Sequence, residues 1–172
     1  MTESFNWAMI YPEITLLVMA CVISLADLSV DNLKSPGRTQ TYLLSVLALG
    51  AVAVIAAMNA ISGEVGYAFN NMVVYDPLGN WLKCFASIAM IVTFVYGRPY
   101  GVDRGMLNGG EYFILSLFAM LGIFVMISSN NFLLIYLGLE LTTLSSYALV
   151  ALRRDNGPVS YTHLTLPTIY SV

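Results

Sequence analysis

Charged residues are scarce in this 172-residue chain: 10% are Asp, Glu, Lys or Arg, against about 25% in an average soluble domain. Lys and Arg number only seven against ten Asp and Glu, and the net charge of −3 leaves no basic surface to follow a nucleic-acid backbone. Apolar residues make up 58% of the chain. This composition excludes a disordered tail and an ordinary soluble domain, and it indicates an integral membrane protein.

The chain also lacks the sequence patterns of metal and redox sites. Its two cysteines, Cys21 and Cys84, each lie in a long apolar run, so we expect two reduced, packed thiols. There is no Cys-x-x-Cys motif, no pair of histidines and no glycine-rich dinucleotide motif. We therefore expect this chain to bind no cofactor or metal itself. The first six residues contain no Lys or Arg, so we expect no removable signal peptide.

Five apolar runs are each long enough to cross about 30 Å of hydrocarbon. Backbone groups inside a bilayer must hydrogen-bond internally, and the runs lack the alternation of barrel strands, so we predict helices. The fold class is therefore predicted to be an all-α membrane bundle over residues 1–157. The predicted spans are Pro12–Val30, Tyr42–Ile61, Leu78–Tyr96, Tyr112–Ser129 and Phe132–Leu152.

The distribution of basic residues predicts the orientation of the bundle. The N-terminal segment, the loop 62–76 and the turn 130–131 contain no Lys or Arg, whereas the alternate connections contain nearly all of them. The positive-inside rule therefore puts the N-terminus outside the cell and the end of the fifth span in the cytoplasm. The basic residues assigned to the cytoplasmic side are Lys34, Arg38, Arg98, Arg104, Arg153 and Arg154.

Glu140 is the most unusual residue, because it lies nine residues into the fifth predicted span, near the middle of the membrane. Such a carboxylate costs about 2.5 to 3.5 kcal/mol on insertion scales and needs a reason. Tyr136, Thr143 and Tyr147 lie on the same helix face, and Gly138 can admit a neighbouring helix or water. The carboxyl group either carries protons or, protonated or paired with a lysine, only holds helices together.

Lys83 is the only basic residue inside a predicted span. Its ammonium group either extends to the membrane surface or faces the bundle and modulates Glu140. Glu13, in the first turn of the first span, is expected to be tolerated there by the helix dipole and the interface. Asp27, at the other end of that span, is expected near the interface, with enough reach to turn inward.

Three segments carry a resemblance to a known family. NNFLLIYLGLELTTLSSYALVALRRD, at 130–155, resembles the fifth transmembrane helix of subunit N of the proton-pumping NADH-quinone oxidoreductase. PEITLLVMACVISLADL, from residue 12, and VYDPLGNWLKCFASIAMIVTFVY, from residue 74, resemble the N-terminal region of the same family. The sister antiporter-like subunits are less similar, since they carry Trp at the position of Leu139.

The resemblance implies that Glu140 is the essential transmembrane glutamate of the family, which moves protons together with lysines on later helices. It also implies an N-terminal fragment of a bacterial inner-membrane protein that has about fourteen spans when complete, each of about 20 residues. NADH, flavin, iron–sulfur clusters and quinone are expected in the other subunits of the complex. Glu140 and Lys83 are the candidate site residues. A cation/proton antiporter subunit and a non-transporting membrane scaffold remain the alternatives.

The last segment, PVSYTHLTLPTIYSV at 158–172, departs from the family pattern. It is rich in Ser, Thr and Pro, has no helical period, and lies between the helix breakers Pro158 and Pro167. It resembles a recurring translated read-through of a sequencing adapter. We therefore expect it to lie outside the native fold, and we expect no proton-relay role for His163, the single histidine.

Overall fold

The computed structural model describes residues 7–29, 39–103 and 110–152. In these ranges the chain forms five helices that are long and apolar enough to cross a membrane, which confirms the predicted all-α membrane fold. A short 3-10 helix, Trp7–Ile10, precedes the first of them. The long helices are α1 (Tyr11–Ser29), α2 (Thr39–Ser62), α3 (Pro77–Asp103), α4 (Glu111–Ser128) and α5 (Phe132–Ala151).

Polar side chains at the helix starts explain two of these boundaries. The Asp76 carboxylate, just before α3, accepts a hydrogen bond from the Gly79 backbone N–H at 3.0 Å. Asn131, just before α5, accepts one from the Leu133 N–H at 3.0 Å. Both bonds satisfy N–H groups that have no partner in the first turn of a helix.

The third helix is longer than the sequence predicts, because it continues past Tyr96 to Asp103 and includes Pro99. The apolar run ends near Tyr96, but a helix does not need apolar residues once it leaves the hydrocarbon. Arg98, expected in a loop, is therefore helical. Its guanidinium donates to Thr39 Oγ1 at 2.9 Å and lies 4.6 Å from the centre of the Tyr42 ring, which joins α3 to α2.

The sequence does not predict the β-hairpin that lies between α2 and α3. Strand β1 (Gly66–Ala68) pairs antiparallel with β2 (Val73–Tyr75), with Tyr67 opposite Val74. The strands are only three residues long, too short to show an alternating pattern. The turn between them holds three non-glycine residues at positive φ, namely Phe69 at 51°, Asn70 at 58° and Asn71 at 64°.

The hairpin identifies one end of the bundle, here called the hairpin end. The Asn130 backbone N–H donates to the Met72 carbonyl at 2.8 Å, which fastens the α4–α5 turn to the hairpin. The Trp7 and Phe69 rings meet edge to face with centroids 5.8 Å apart. The described part of the N-terminal segment, the loop 62–76 and the turn 130–131, which contain no Lys or Arg, therefore lie at the same end of the bundle, as the alternation of charge predicts. Which end faces the cytoplasm remains a prediction.

The core lies between α1, α2, α3 and α4, whereas α5 packs mainly on α4. Nine residues of α4 are buried, but in α5 only Gly138 and Ser145 are. Most of the α5 surface is therefore free of contacts with the described part of the chain. The central core side chains, all at most 1% exposed, are Leu16, Ala20, Ile23, Leu49, Val52, Phe94, Phe113, Leu117, Met120 and Phe124.

Candidate functional site

Two glycines set the position of α5 against α4. A Cβ atom on Gly122 would lie 2.6 Å from the Gly138 carbonyl oxygen, and one on Gly138 would lie 2.7 Å from the Gly122 oxygen. Only glycine permits this approach of two backbones. The Thr142 hydroxyl contributes by donating to the Gly138 carbonyl at 2.9 Å and to the Ala119 carbonyl at 3.3 Å. The close approach expected at Gly138 is confirmed, and Gly122 lies opposite it.

This crossing directs Glu140 away from α4. At about 100° per residue, Glu140 lies about 200° around the helix from Gly138. Tyr136 and Tyr147 share that side and are 52% and 70% exposed, and Glu140 itself is half-buried. The eight residues from Phe132 to Glu140 place the carboxylate about 12 Å along the helix at 1.5 Å per residue. Glu140 thus lies near the middle of α5, on the helix face that is turned away from α4.

Two side chains of α5 interact with Glu140. The Tyr136 hydroxyl, one turn earlier, is a hydrogen-bonding neighbour of its carboxylate. The Thr143 hydroxyl donates to the Glu140 backbone carbonyl at 3.0 Å. In the described ranges, no salt bridge involving Glu140 is found. The chemistry available here is that of one accessible carboxylate with a phenol beside it.

Lys83 and Glu13 form a buried ion pair, which the sequence did not predict. The Lys83 Nζ lies 2.7 Å from Glu13 Oε1, and the two residues are 2% and 9% exposed. Lys83 therefore faces the interior of the bundle, as one of the two alternatives predicts, but its partner is Glu13, and in the described ranges no salt bridge joins it to Glu140. The Ser128 hydroxyl donates to the same oxygen, Oε1, at 2.5 Å. This group of three side chains, from α1, α3 and α4, is called the Glu13 cluster below.

Helix geometry explains why these two residues meet. Side chains lean toward the N-terminus of their own helix, and both α1 and α3 begin at the hairpin end. Lys83, about 9 Å into α3 at 1.5 Å per residue, therefore extends toward Glu13 in the first turn of α1. The depth of Lys83 was a usable signal, since a cation inside a span needs an anion at a similar height. That α1 and α3 both pack on α2 and α4, which brings the two side chains together, gave no signal in the sequence.

Asp27 turns inward at the opposite end of α1, where it is 7% exposed. Its Oδ1 accepts a hydrogen bond from the Thr41 hydroxyl of α2 at 2.6 Å. A Cβ on Gly110, which precedes α4, would collide with the Asp27 carboxylate. The carboxylate therefore lies at the N-terminus of α4, where the helix dipole stabilises an anion. The sequence left Asp27 either near the membrane interface or turned inward, and the inward position is confirmed.

The cysteines lie in different surroundings. Cys84 is buried against Ala53 and Ala56 of α2, as expected for a packed thiol. Cys21 is exposed on α1, so the expectation that it is packed is wrong for the described part of the chain. Both are free thiols.

Comparisons with known proteins place the chain in a family. No family model matches it. It is 63% identical over 156 residues to the NADH-quinone oxidoreductase subunit N of Polaromonas naphthalenivorans, which covers 91% of this chain and 31% of the relative. The identity to the subunit N of Herminiimonas arsenicoxydans is 48% over 157 residues, or 90% of this chain and 31% of the relative. The identity to the subunit N of Acidithiobacillus ferrooxidans is 44% over 152 residues, or 88% of this chain and 30% of the relative.

These identities extend over about nine-tenths of the chain, and they confirm the resemblance based on the three segments. The chain spans about 31% of the length of these relatives. Five helices long and apolar enough to cross a membrane agree with a piece of a multi-pass membrane protein. The chain belongs to the family of NADH-quinone oxidoreductase subunit N and represents a fragment of such a subunit.

Proposed function

We propose that this chain is part of a subunit that moves protons across the bacterial inner membrane while NADH is oxidised by quinone. The relatives are named as subunits of NADH-quinone oxidoreductase, which supports membership of that complex. The proposal assigns no redox centre to this chain. NADH, flavin, iron–sulfur clusters and quinone belong to partner subunits, and the energy of their reaction reaches this subunit through the assembly.

The position of Glu140 carries the proposal. It is a carboxylate at mid-membrane depth, on a helix face that the described residues leave open, with only a phenol beside it. An uncompensated charge there is expensive, so this face needs further protein or water to cover it. Since the chain spans about 31% of its relatives, the remainder of the subunit is the natural source of that cover and of a cationic partner.

A cation that approaches Glu140 favours the anionic carboxylate, and its withdrawal favours the protonated acid. Alternating approach and withdrawal would make the carboxylate release and take up one proton per cycle. Tyr136 is placed to hold the carboxylate in one rotamer between these steps. This mechanism needs only one titrating oxygen on α5 and a movable cation opposite it.

The test uses the full-length subunit in the assembled complex, reconstituted into vesicles. Glu140→Gln keeps the shape of the side chain but removes the exchangeable charge. We expect NADH-driven proton translocation to fall at least about tenfold, because a positioned acid–base group contributes about 10² to 10⁴ to a rate. Glu140→Asp should retain part of the activity. Glu111→Gln, on the exposed first turn of α4, is the control and should pump normally.

The same vesicles separate the alternatives. Normal pumping by a fully assembled Glu140→Gln complex would reject the relay and favour a scaffold. Sodium-dependent proton exchange without NADH oxidation would favour an antiporter that works alone.

The proposed orientation has its own test. Glu64 is exposed at the hairpin end, so a cysteine in its place should react only with a reagent added outside the cell. A cysteine at residue 35, in the connection between α1 and α2, should react only from the cytoplasm. The reverse pattern would overturn the orientation.

A further inference from the structure

The two carboxylate oxygens of Glu13 have different surroundings. Oε1 accepts from both the Lys83 ammonium and the Ser128 hydroxyl. Oε2 is also buried, yet within residues 7–29, 39–103 and 110–152 it has no hydrogen-bond partner. A buried carboxylate oxygen without a donor is rare and costly, because it has lost its water without a replacement. The free oxygen therefore marks a place where a donor group belongs.

A second buried acceptor without a hydrogen-bond donor in the described ranges lies on α3. Asn80 comes three residues before Lys83, so the two side chains leave α3 on the same side. Asn80 is 2% exposed, and its Oδ1 is buried without a hydrogen-bond partner in the described ranges. Its amide nitrogen is already engaged, because it donates to the Asp76 carbonyl at 3.0 Å. Glu13 Oε2 and Asn80 Oδ1 are thus two buried acceptors that lack donors in the described ranges, and a water molecule is a small group with two O–H donors.

We propose that the Glu13 cluster binds buried water at Glu13 Oε2, and that Glu13 is a second proton-carrying carboxylate of the subunit. A proton arriving on this water as hydronium passes to Oε2: one hydronium O–H bond breaks, its electron pair stays on the water oxygen, and an O–H bond forms on Oε2. The reverse step returns the proton. Lys83 and Ser128 keep Oε1 occupied throughout, so they position the carboxyl group and leave Oε2 as the exchanging atom.

The path from this cluster to the membrane surface leads to the hairpin end rather than along α1. Along the buried face of α1, Leu16, Ala20 and Ile23 separate Glu13 from Asp27, and all three are at most 1% exposed. These apolar layers exclude water. The Glu13 side chain retains 11% exposure. At the hairpin end the Asp76 carboxylate caps α3, and Glu13 Oε2 is a buried carboxylate oxygen without a hydrogen-bond partner in the described ranges.

This inference rests on the proposed transport function, so its experiment runs beside the Glu140 test in the same assembled complex. Glu13→Gln keeps an oxygen acceptor for Lys83 and Ser128 but cannot carry the proton. We expect NADH-driven proton translocation to fall at least about tenfold, while quinone reduction in uncoupled vesicles continues. Glu13→Asp should recover part of the loss. The matched control is Asp27→Asn, the same chemical change at a similarly buried site on the same helix, which should pump normally.

Each outcome bears on one proposal. Normal pumping by an assembled Glu13→Gln complex would overturn the role of Glu13, and so would an equal loss in Asp27→Asn, because packing would then explain both. If Glu13→Gln loses pumping while Glu140→Gln keeps it, the relay at Glu140 fails and the inference about Glu13 stands.

A second measurement needs no variant. A high-resolution map of the wild-type assembled complex should contain water within about 2.6 to 3.2 Å of Glu13 Oε2. A protein donor on Oε2, or an empty space beside it, would overturn the proposal even if Glu13→Gln did not assemble.

Discussion

Two glutamates on the membrane-spanning helices are in opposite situations. Glu13 is buried among α1, α3 and α4, with a lysine and a serine on one oxygen, and its ion pair is complete within this chain. Glu140 lies on the open side of α5, half-buried and next to an exposed tyrosine. The first site belongs to a packed core, whereas the second faces a surface that this piece of the subunit does not cover.

This difference shows that the stability of a site and its accessibility for proton exchange come from different features. The Glu13 cluster joins three helices, so changes there should affect folding as well as transport. The face of α5 that carries Glu140 does not pack against another helix within the described residues. Changes there should therefore affect transport with little effect on folding. Measuring both quantities for each site therefore tests the comparison directly.

The largest effect is expected from Lys83→Met. This change leaves the Glu13 carboxylate buried without its cation, and breaking one partner of a buried ion pair typically costs about 3 to 5 kcal/mol. We expect a large fall in the free energy of unfolding of the chain in detergent micelles. Adding Glu13→Gln to Lys83→Met should recover much of the loss, since no unpaired charge then remains. Equal instability of the single and double variants would show that the pair contributes only packing.

The sequence allowed the apolar helices and the Glu140 face to be predicted because both are local properties of one helix. Span length, the i, i+4 spacing of Tyr136 and Glu140, and the glycine at 138 are all visible in a single segment. The Glu13–Lys83 pair depends on which helices become neighbours, and residues 13 and 83 lie on separate helices with α2 between them in the chain. The hairpin was missed because its three-residue strands are too short to produce a pattern.

Ser128→Ala should have the next largest effect. It removes the hydroxyl that donates to Glu13 Oε1, and a hydrogen bond to a charged group contributes about 1.5 to 3 kcal/mol. The loss of stability should largely disappear in a Glu13→Gln background, where the bond is no longer charge-assisted. A double-mutant cycle measured by denaturant titration in micelles gives this coupling energy. Zero coupling would mean that the serine acts independently of the carboxylate.

Gly138→Ala should weaken the attachment of α5 to α4. The added Cβ would lie 2.7 Å from the Gly122 carbonyl oxygen and 3.1 Å from the Met126 backbone nitrogen, so one helix backbone must move. Overpacking of this kind costs about 1 to 3 kcal/mol. Gly50→Ala is the control, because its Cβ meets nothing within 4 Å and alanine favours a helix interior. Thermal unfolding should show a lower midpoint for Gly138→Ala and an unchanged or higher one for Gly50→Ala.

The smallest effect on stability is expected from Tyr136→Phe, which is the counterpart of Ser128→Ala at the other glutamate. It also removes a hydroxyl beside a carboxylate, but Tyr136 is 52% exposed, and substitutions at such surface positions usually change stability by no more than about 0.5 kcal/mol. Denaturant titration of the chain in micelles should therefore barely distinguish this variant from the wild type. In the assembled complex the same variant should slow proton translocation, because Glu140 loses the group that holds its rotamer. A large loss of stability in micelles would mean that the Tyr136–Glu140 face is already packed in the isolated chain, and the contrast between the two glutamates would then fail.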